Sequence, residues 1–168
     1  MTMVIDGTAG VVFPDTSVQA KAVPAAPQSM VRLNTANGYG STNTVISRFI
    51  TVVTNQGSDI TYADSATLGA SFTINTNGVY AISYTDGTSQ AGGGSYGLSV
   101  NSTQLTTTIQ NITAADRLCY SDSAAPAYEI TVSTTAFLPS GYVVRPHCAV
   151  NTTSVAPARS QFTITRVA

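Results

Sequence analysis

The chain has 168 residues, enough for one domain of ordinary size with a self-sufficient core. Only 9% of them are charged, against roughly a quarter in average proteins, while 43% are apolar, which excludes a disordered chain. A net charge of -1 gives no electrostatic case for nucleic acid or an anionic membrane, and no run of about 18 apolar residues is present to cross one.

Residues 1–29 differ in character from the rest of the chain. The opening Met1-Thr2-Met3-Val4-Ile5-Asp6 lacks the basic and apolar regions of a signal peptide, so synthesis and assembly in a cytoplasm are expected. Two short apolar runs, one with Val4 and Ile5 and one with Val11, Val12 and Phe13, are broken by Asp6-Gly7 and closed by a Pro14-Asp15 turn signal. A linker stiffened by Pro24 and Pro27 comes next. So short a segment cannot bury its own apolar side chains, and these five therefore require partners outside it.

From Met30 onward the chain reads as strands. Val31-Arg32-Leu33 leads into an Asn- and Gly-containing loop over residues 34–43. Residues 45–54 are apolar on both faces, with Val45, Phe49 and Val53 on one and Ile46, Ile50 and Val52 on the other. Such a run is either a central, doubly covered strand or a strand at a subunit interface. A further strand begins at Ile60-Thr61-Tyr62. In residues 72–84, Phe72 and Ile74 alternate with small residues before Asn77-Gly78, and Tyr80, Ile82 and Tyr84 alternate after it. Period-two alternation around Asn-Gly predicts two antiparallel strands joined by a tight turn. The face made by Tyr80, Ile82 and Tyr84 must be covered, by a second sheet or by an identical neighbour.

A loop over residues 86–94 ends in three glycines, and strands are predicted over 96–101 and 103–109. Residues 111–118 read as one helical turn with Thr113 as its N-cap, and 121–126 as a loop. Residues 128–133 and 142–145 form strands around Leu138-Pro139-Ser140-Gly141, and an alternating strand over 161–167 closes the chain. Short strands with frequent turn signals predict an all-β sandwich, for which Greek-key or jelly-roll order is usual.

The interval from Phe72 to Gly78-x-Tyr80-x-Ile82-x-Tyr84 resembles the signature strands of C1q/TNF-like jelly-roll domains. Leu138-Pro-Ser-Gly141-Tyr-Val-Val is similar to a strand start of that family, with Tyr142 where an acid usually stands. Ser160-Gln-Phe162-Thr-Ile164-Thr-Arg166 resembles its final core strand. The resemblance covers residues 30–168 and implies a jelly-roll β-sandwich that assembles as a homotrimer, with Phe49, Tyr80, Ile82 and Tyr84 as its interface. The N-terminal stretch Asp6-Gly7-Thr8-x-Gly10-Val11-x-Phe13-Pro14-Asp15-x-Ser17-x-Gln19 resembles a segment of bacteriophage fibre proteins, with Asp6 in place of their asparagine. It implies a virion-anchoring arm over residues 1–29, acting through Val4, Ile5, Val11, Val12 and Phe13 on another virion protein.

Catalytic chemistry finds little support. His147, the single histidine, adjoins Cys148, but neighbours on a strand point to opposite faces and cannot share a proton. The eight acids are scattered over turns, where carboxylates normally bond backbone, so no acidic pair for glycoside cleavage is expected. Asp116 and Asp122 could share a calcium ion, but without EF-hand spacing, and no cofactor or metal is expected. A domain of this size needs no disulfide, so Cys119 and Cys148 read as free thiols, although spacing alone leaves their pairing open. Three Asn-x-Thr/Ser matches are what chance gives in a chain this rich in Asn and Thr.

The expected protein is a phage virion structural protein on the particle surface: a short trimeric tail or head fibre whose knob binds a host surface glycan or protein. Tyr39 and Tyr128 are its candidate receptor contacts, because a tyrosine ring can stack on a sugar face. The alternative is a capsid decoration or head-fibre protein that stabilises the shell. No enzyme, nucleic-acid or membrane-inserted role is expected.

Overall fold

The computed structural model describes residues 29–88, 93–123, 127–148 and 157–168, with backbone alone at 88, 127 and 128. It also gives the backbone of three short strands near the N-terminus: β1 (Val4–Asp6), β2 (Gly10–Val12) and β3 (Val18–Gln19). These pair antiparallel in the order β1-β2-β3, with Val4 opposite Val12 and Ile5 opposite Val11.

The remaining strands are β4 (Met30–Tyr39), β5 (Ser47–Gln56), β6 (Ile60–Ser65), β7 (Gly69–Ile74), β8 (Gly78–Thr88), β9 (Gly94–Val100), β10 (Arg117–Ser123), β11 (Ala127–Leu138), β12 (Val143–Cys148) and β13 (Gln161–Arg166). They form two five-stranded antiparallel sheets, ordered β11-β8-β13-β4-β5 and β10-β9-β12-β7-β6. This is the all-β sandwich that the short strands and turn signals predict, in the jelly-roll form that the resemblance implies.

Each sheet turns its large residues inward. From the first come Val31, Leu33, Tyr80, Ile82, Tyr84, Val132, Phe162 and Ile164; from the second come Ile60, Phe72, Ile74, Tyr96, Leu98 and Val144. The rings make the closest contact between the layers. Phe72 stacks on Phe162 with centroids 3.9 Å apart and planes 12° from parallel. Tyr84 meets Phe49, Tyr96 and Phe162 at 6.0–6.3 Å, the edge-on and tilted range that aromatic pairs favour. The Tyr84 hydroxyl remains hydrogen-bonded within this core, to Ser47 Oγ at 2.5 Å and to Asp86 Oδ2 at 3.1 Å.

Several sequence expectations need correction. The Asn77-Gly78 turn does not join a hairpin: β7 pairs with β6 and β12, β8 with β11 and β13, and the turn carries the chain from one sheet to the other. Both runs still send their large residues into one core, which is why the alternation was genuine although the pairing was not. Strand β5 is an edge strand and not a central one, and Val45 and Ile46 are buried in the turn before it. Residues 34–39 continue β4 instead of forming a loop, and residues 121–123 complete β10.

Residues 103–109 form no strand. They belong to a strap over residues 101–116 that contains 3₁₀ turns at Ile109–Asn111 and Ala114–Asp116. Thr113 precedes the second turn but makes no side-chain cap, because its hydroxyl donates to Gln104 Oε1 at 2.8 Å.

Replacing Phe162 with alanine removes the ring shared by Phe49, Phe72 and Tyr84. The expected loss is about 3–5 kcal/mol of unfolding free energy, read from the midpoint of a urea or guanidinium titration.

Candidate functional site

The strand registers give the sandwich a polarity. At one end lie Ser29, the 57–59 turn, the 75–77 turn, the 139–142 turn and Ala168. Asp59 ties this end together. Its carboxylate accepts from Ser29 Oγ at 2.7 Å and from Arg166 Nη1 at 3.4 Å, while its N–H donates to Ser29 Oγ at 3.0 Å. Hydrogen bonds from the Thr76 and Ser29 hydroxyls, helped by the Arg166 charge, hold the Asp59 carboxyl below its ordinary range. Ser29, the first residue of the described sandwich, therefore lies beside the C-terminus: the Arg166 N–H bonds the Ser29 carbonyl at 3.0 Å. At the opposite end lie the 40–46 and 66–68 turns, the end of β8 and the start of β9, the end of β10 and the start of β11. The described parts of the segments expected as loops over 34–43, 86–94 and 121–126 thus reach the end away from Ser29.

The residues expected at a trimer interface are elsewhere. Tyr80 and Tyr84 have no exposed surface, and Phe49 and Ile82 retain 4% and 2%. They are closed off within one chain, so they have no surface left to give to a neighbour. Of the two covers expected for the face of Tyr80, Ile82 and Tyr84, the structure supplies the second sheet, with Tyr96 edge-on to Tyr84. Tyr39 is corrected as well: its hydroxyl is buried at the far end of the core, and burial together with the nearby Cys148 and Asp86 pushes its pKa up. Its polar tip points inward and is not offered to a receptor. The side chains of Val4, Ile5, Val11, Val12, Phe13 and Tyr128 lie outside the described residues.

The exposed apolar surface comes from other residues. On the edge strand β5, Ile50, Val52 and Val53 are 63%, 50% and 46% exposed. On the outward face of the β8-containing sheet, Phe137 lies opposite Val79, and the Val167 N–H bonds the Val79 carbonyl at 2.8 Å. Phe137 and Val167 are both more than half exposed there. Beside them, Ala81, Ser83, Ser133, Thr135, Thr163 and Thr165 line a shallow groove of about 490 Å³. Small side chains on a sheet face allow another surface to approach the backbone closely. The signal for this face was present in the sequence as the small member of each alternating pair, such as Ala81 and Ser83 beside Ile82 and Tyr84.

Among the described residues, no three His, Cys, Asp or Glu side chains gather as a metal would require. Asp116 and Asp122 cannot share an ion, since β10 separates them, with Arg117 opposite Ser99 and Asp122 opposite Ser95. Cys119 and Cys148 are not bonded to each other: Cys119 is partly exposed on β10, and Cys148 is buried. Cys148 belongs to the core between the sheets, whereas His147 lies on the outward face beneath the strap, so the pair is separated as strand geometry requires. His147 is wholly buried. Burial, and then the charge of Arg145, hold its pKa down at about 3.

No family model matches the chain, and no curated protein matches it. Solved structures do. Crystal structures of murine APRIL at pH 8.0, 8.5 and 5.0 share 10%, 11% and 11% identity with it, with TM-scores of 0.59, 0.58 and 0.59. Each match covers 83% of this chain and 99% of the other. At this identity the likeness is one of fold: the chain is a jelly-roll sandwich of the C1q/TNF-like type.

The buried His147 predicts a stability profile. Its folded pKa, about 3, lies below the ordinary 6.5, so between those values the unfolded chain binds a proton that the folded chain refuses. Stability is therefore full above that window and falls as pH drops through it, with a slope approaching about 1.4 kcal/mol per pH unit. Urea titrations between about pH 5 and 7, above the range where carboxylates titrate, should show this slope, and His147→Gln should flatten it.

Proposed function

We propose that this chain is a structural protein of a tailed-bacteriophage virion: a short homotrimeric fibre whose jelly-roll knob contacts the host surface and whose arm docks on the particle. The observation that carries this reading is the polarity of the sandwich. An arm with the fibre-like pattern Gly10-Val11-x-Phe13-Pro14-Asp15 joins the end that holds Ser29 and Ala168, while the loops project at the other. Loops held by a rigid scaffold at a free end are where sandwich folds usually carry recognition.

The trimer is supported by surface that one chain leaves uncovered. Phe137, Val79 and Val167 form an apolar rim, the adjoining groove is lined by small hydroxyl side chains, and β5 presents an unpaired apolar edge. Contiguous exposed apolar surface on a soluble domain marks an interaction site, and an edge strand ten residues long invites coverage.

Capsid decoration is the second reading, and one observation favours it. With the Tyr39 hydroxyl turned into the core, the far end has lost one of the two aromatic groups considered for stacking on a sugar. A particle lacking the protein decides between the two: lost adsorption to host cells supports the fibre, and normal adsorption with a weakened shell supports decoration.

Sedimentation of the full chain at micromolar concentration should give a trimer. Phe137→Asp, on the exposed rim, should shift the balance toward monomer by at least about tenfold in dissociation constant, which is about 1.4 kcal/mol. A Tyr84→Ala control should instead unfold the chain. A wild-type chain that sediments as a folded monomer sinks the trimer.

Deleting residues 1–27 should leave a folded trimer that no longer joins virions. Incorporation at the wild-type copy number would place the docking surface on the knob itself.

A further inference from the structure

Beneath the strap over residues 101–116, the outward face of the second sheet carries positive charge that no ion pair among the described residues meets. Ser99, on β9, lies opposite Arg145 on β12 and opposite Arg117 on β10. Neighbouring strands run about 4.8 Å apart, so the two arginine stems flank one serine at a separation of about 10 Å. Ser99 is wholly buried, and its hydroxyl has no hydrogen-bond partner. Two residues along β12, His147 is also wholly buried, and neither ring nitrogen has a partner at hydrogen-bonding geometry, although the Thr107 backbone of the strap lies beside the ring. Arg145 is half-buried, and burial pulls its pKa down.

Arg117 is partly engaged. Its Nη1 donates to the carbonyls of Gln110 at 2.6 Å and Ile112 at 3.4 Å, and its guanidinium lies 4.8 Å from the centre of the Tyr120 ring. These contacts hold the strap down, but none of them cancels the charge.

The acids of the described residues are committed elsewhere. Asp59 bonds Ser29 and Arg166, Asp64 bonds Arg48, Asp86 bonds Tyr84 and Ser160, Asp122 bonds Ser95, and Glu129 bonds Arg159. Asp116 precedes Arg117 in the chain, yet no ion pair joins it to either arginine; the three ion pairs of the described residues are all elsewhere. Two like charges set across a strand repel, and an unpaired charge drawn out of water is costly. A buried hydroxyl without a partner calls for a bound group as well.

We propose that Arg145, Arg117 and Ser99 form a binding site for a tetrahedral oxyanion of the phosphate or sulfate type, entered from the exposed side of Arg145. The planar fork of Arg145 supplies paired N–H donors to two oxygens, Arg117 supplies charge from the opposite side, and the Ser99 hydroxyl supplies a further donor from below. Two cations on opposite sides of one serine suit a group with oxygens in several directions better than a planar carboxylate, which one guanidinium satisfies alone.

His147 is the only histidine in the chain, so its ring protons give a single reporter beside the site. Titration of the full chain with inorganic phosphate at constant pH and ionic strength should move these NMR signals to saturation. Sodium chloride and acetate should not. Arg145→Met should weaken the apparent affinity at least tenfold, and Ser99→Ala should weaken it severalfold. If Arg145→Met fails to fold, the serine variant decides. Signals that respond to phosphate no more than to chloride would mean that ordered water alone satisfies these groups, and the site would be rejected. An equal response to acetate, or wild-type phosphate affinity in a folded Arg145→Met or Ser99→Ala variant, would overturn it too.

Discussion

The stack of Phe72 on Phe162 is the contact on which the rest of this sandwich depends. It joins the two sheets near their middle, and the other core aromatics are arranged about it: Tyr62 stacks on the far side of Phe72, while Phe49 and Tyr84 lean on Phe162. Parallel rings at van der Waals separation fix the spacing of the layers more narrowly than branched aliphatic chains would, because a flat ring has one thickness. Once that spacing is set, Tyr80 and Tyr84 have room for their rings only if their hydroxyls find partners at the two ends. Tyr80 donates to the Thr76 carbonyl at 2.6 Å at the arm end, and Tyr84 bonds Ser47 and Asp86 toward the other. The apolar core and the polar networks at its ends are therefore one construction: each tyrosine contributes its ring to the first and its hydroxyl to the second.

That arrangement explains which surface is left for partners. A sandwich that spends its large residues inward retains mostly small and hydroxyl side chains outside, as Ser83, Ser133, Thr135 and Thr163 show. Even the hydroxyls pair among themselves, with Thr85 Oγ1 and Thr131 Oγ1 2.9 Å apart. Among the described residues the exposed large apolar side chains lie at edges, turns and ends: Ile50, Val52 and Val53 on β5, Tyr120 on β10, Leu68 and Tyr142 in turns, and Phe137 and Val167 beside the C-terminus. In a chain with this composition, association cannot be read from the most hydrophobic stretch, because that stretch is already used.

How much of this was legible in the sequence depended on range. Local alternation in residues 72–74, 80–84 and 161–166 reported strands and inward faces correctly, because the side-chain period of a strand is a property of the strand alone. Pairing was a different matter. Asn77-Gly78 favours a hairpin, yet here Gly78 begins a strand of the opposite sheet, and Ser140 N–H bonds Asn77 Oδ1 at 2.7 Å across that end. Global topology decided between two uses of one turn, and nothing in the neighbouring residues encodes that choice. The run at residues 45–54 left two alternatives for a related reason, and the edge position of β5 removes only the central-strand one: apolar residues on both faces mark a strand covered twice, but they do not say whether the second cover comes from the same chain. Tyr39 was misplaced because a tyrosine beside glycines has the same local pattern whether its ring points out or in. The strap was invisible for a third reason. Residues 103–109 have strand-like composition, and their true role depends on Gly97. A Cβ there would meet Ile109 Cγ1 at 2.5 Å and would crowd the Cys119 carbonyl oxygen as well.

The low charge of the chain binds these observations together. With three ion pairs among the described residues, one of them between two largely exposed side chains, salt bridges contribute little to the fold. Shape therefore carries what charge does not: the arm end is organised by the hydrogen bonds of Asp59, and the far end by those of Asp86, which accepts from Tyr84, Ser160 and the Gly87 N–H. Each of these aspartates is buried where strands of both sheets converge. An outward face made mostly of hydroxyls and small apolar groups lets another surface approach its backbone closely, although it also carries the exposed charge of Arg32, opposite Thr163. The exception is the pair Arg145 and Arg117, where charge is held under a strap with no acid among the described residues paired to it, and there the logic of the rest of the molecule reverses. A chain so sparing of charge has little general field to offset two arginines flanking one serine, so whatever neutralises them must come from the immediate surroundings.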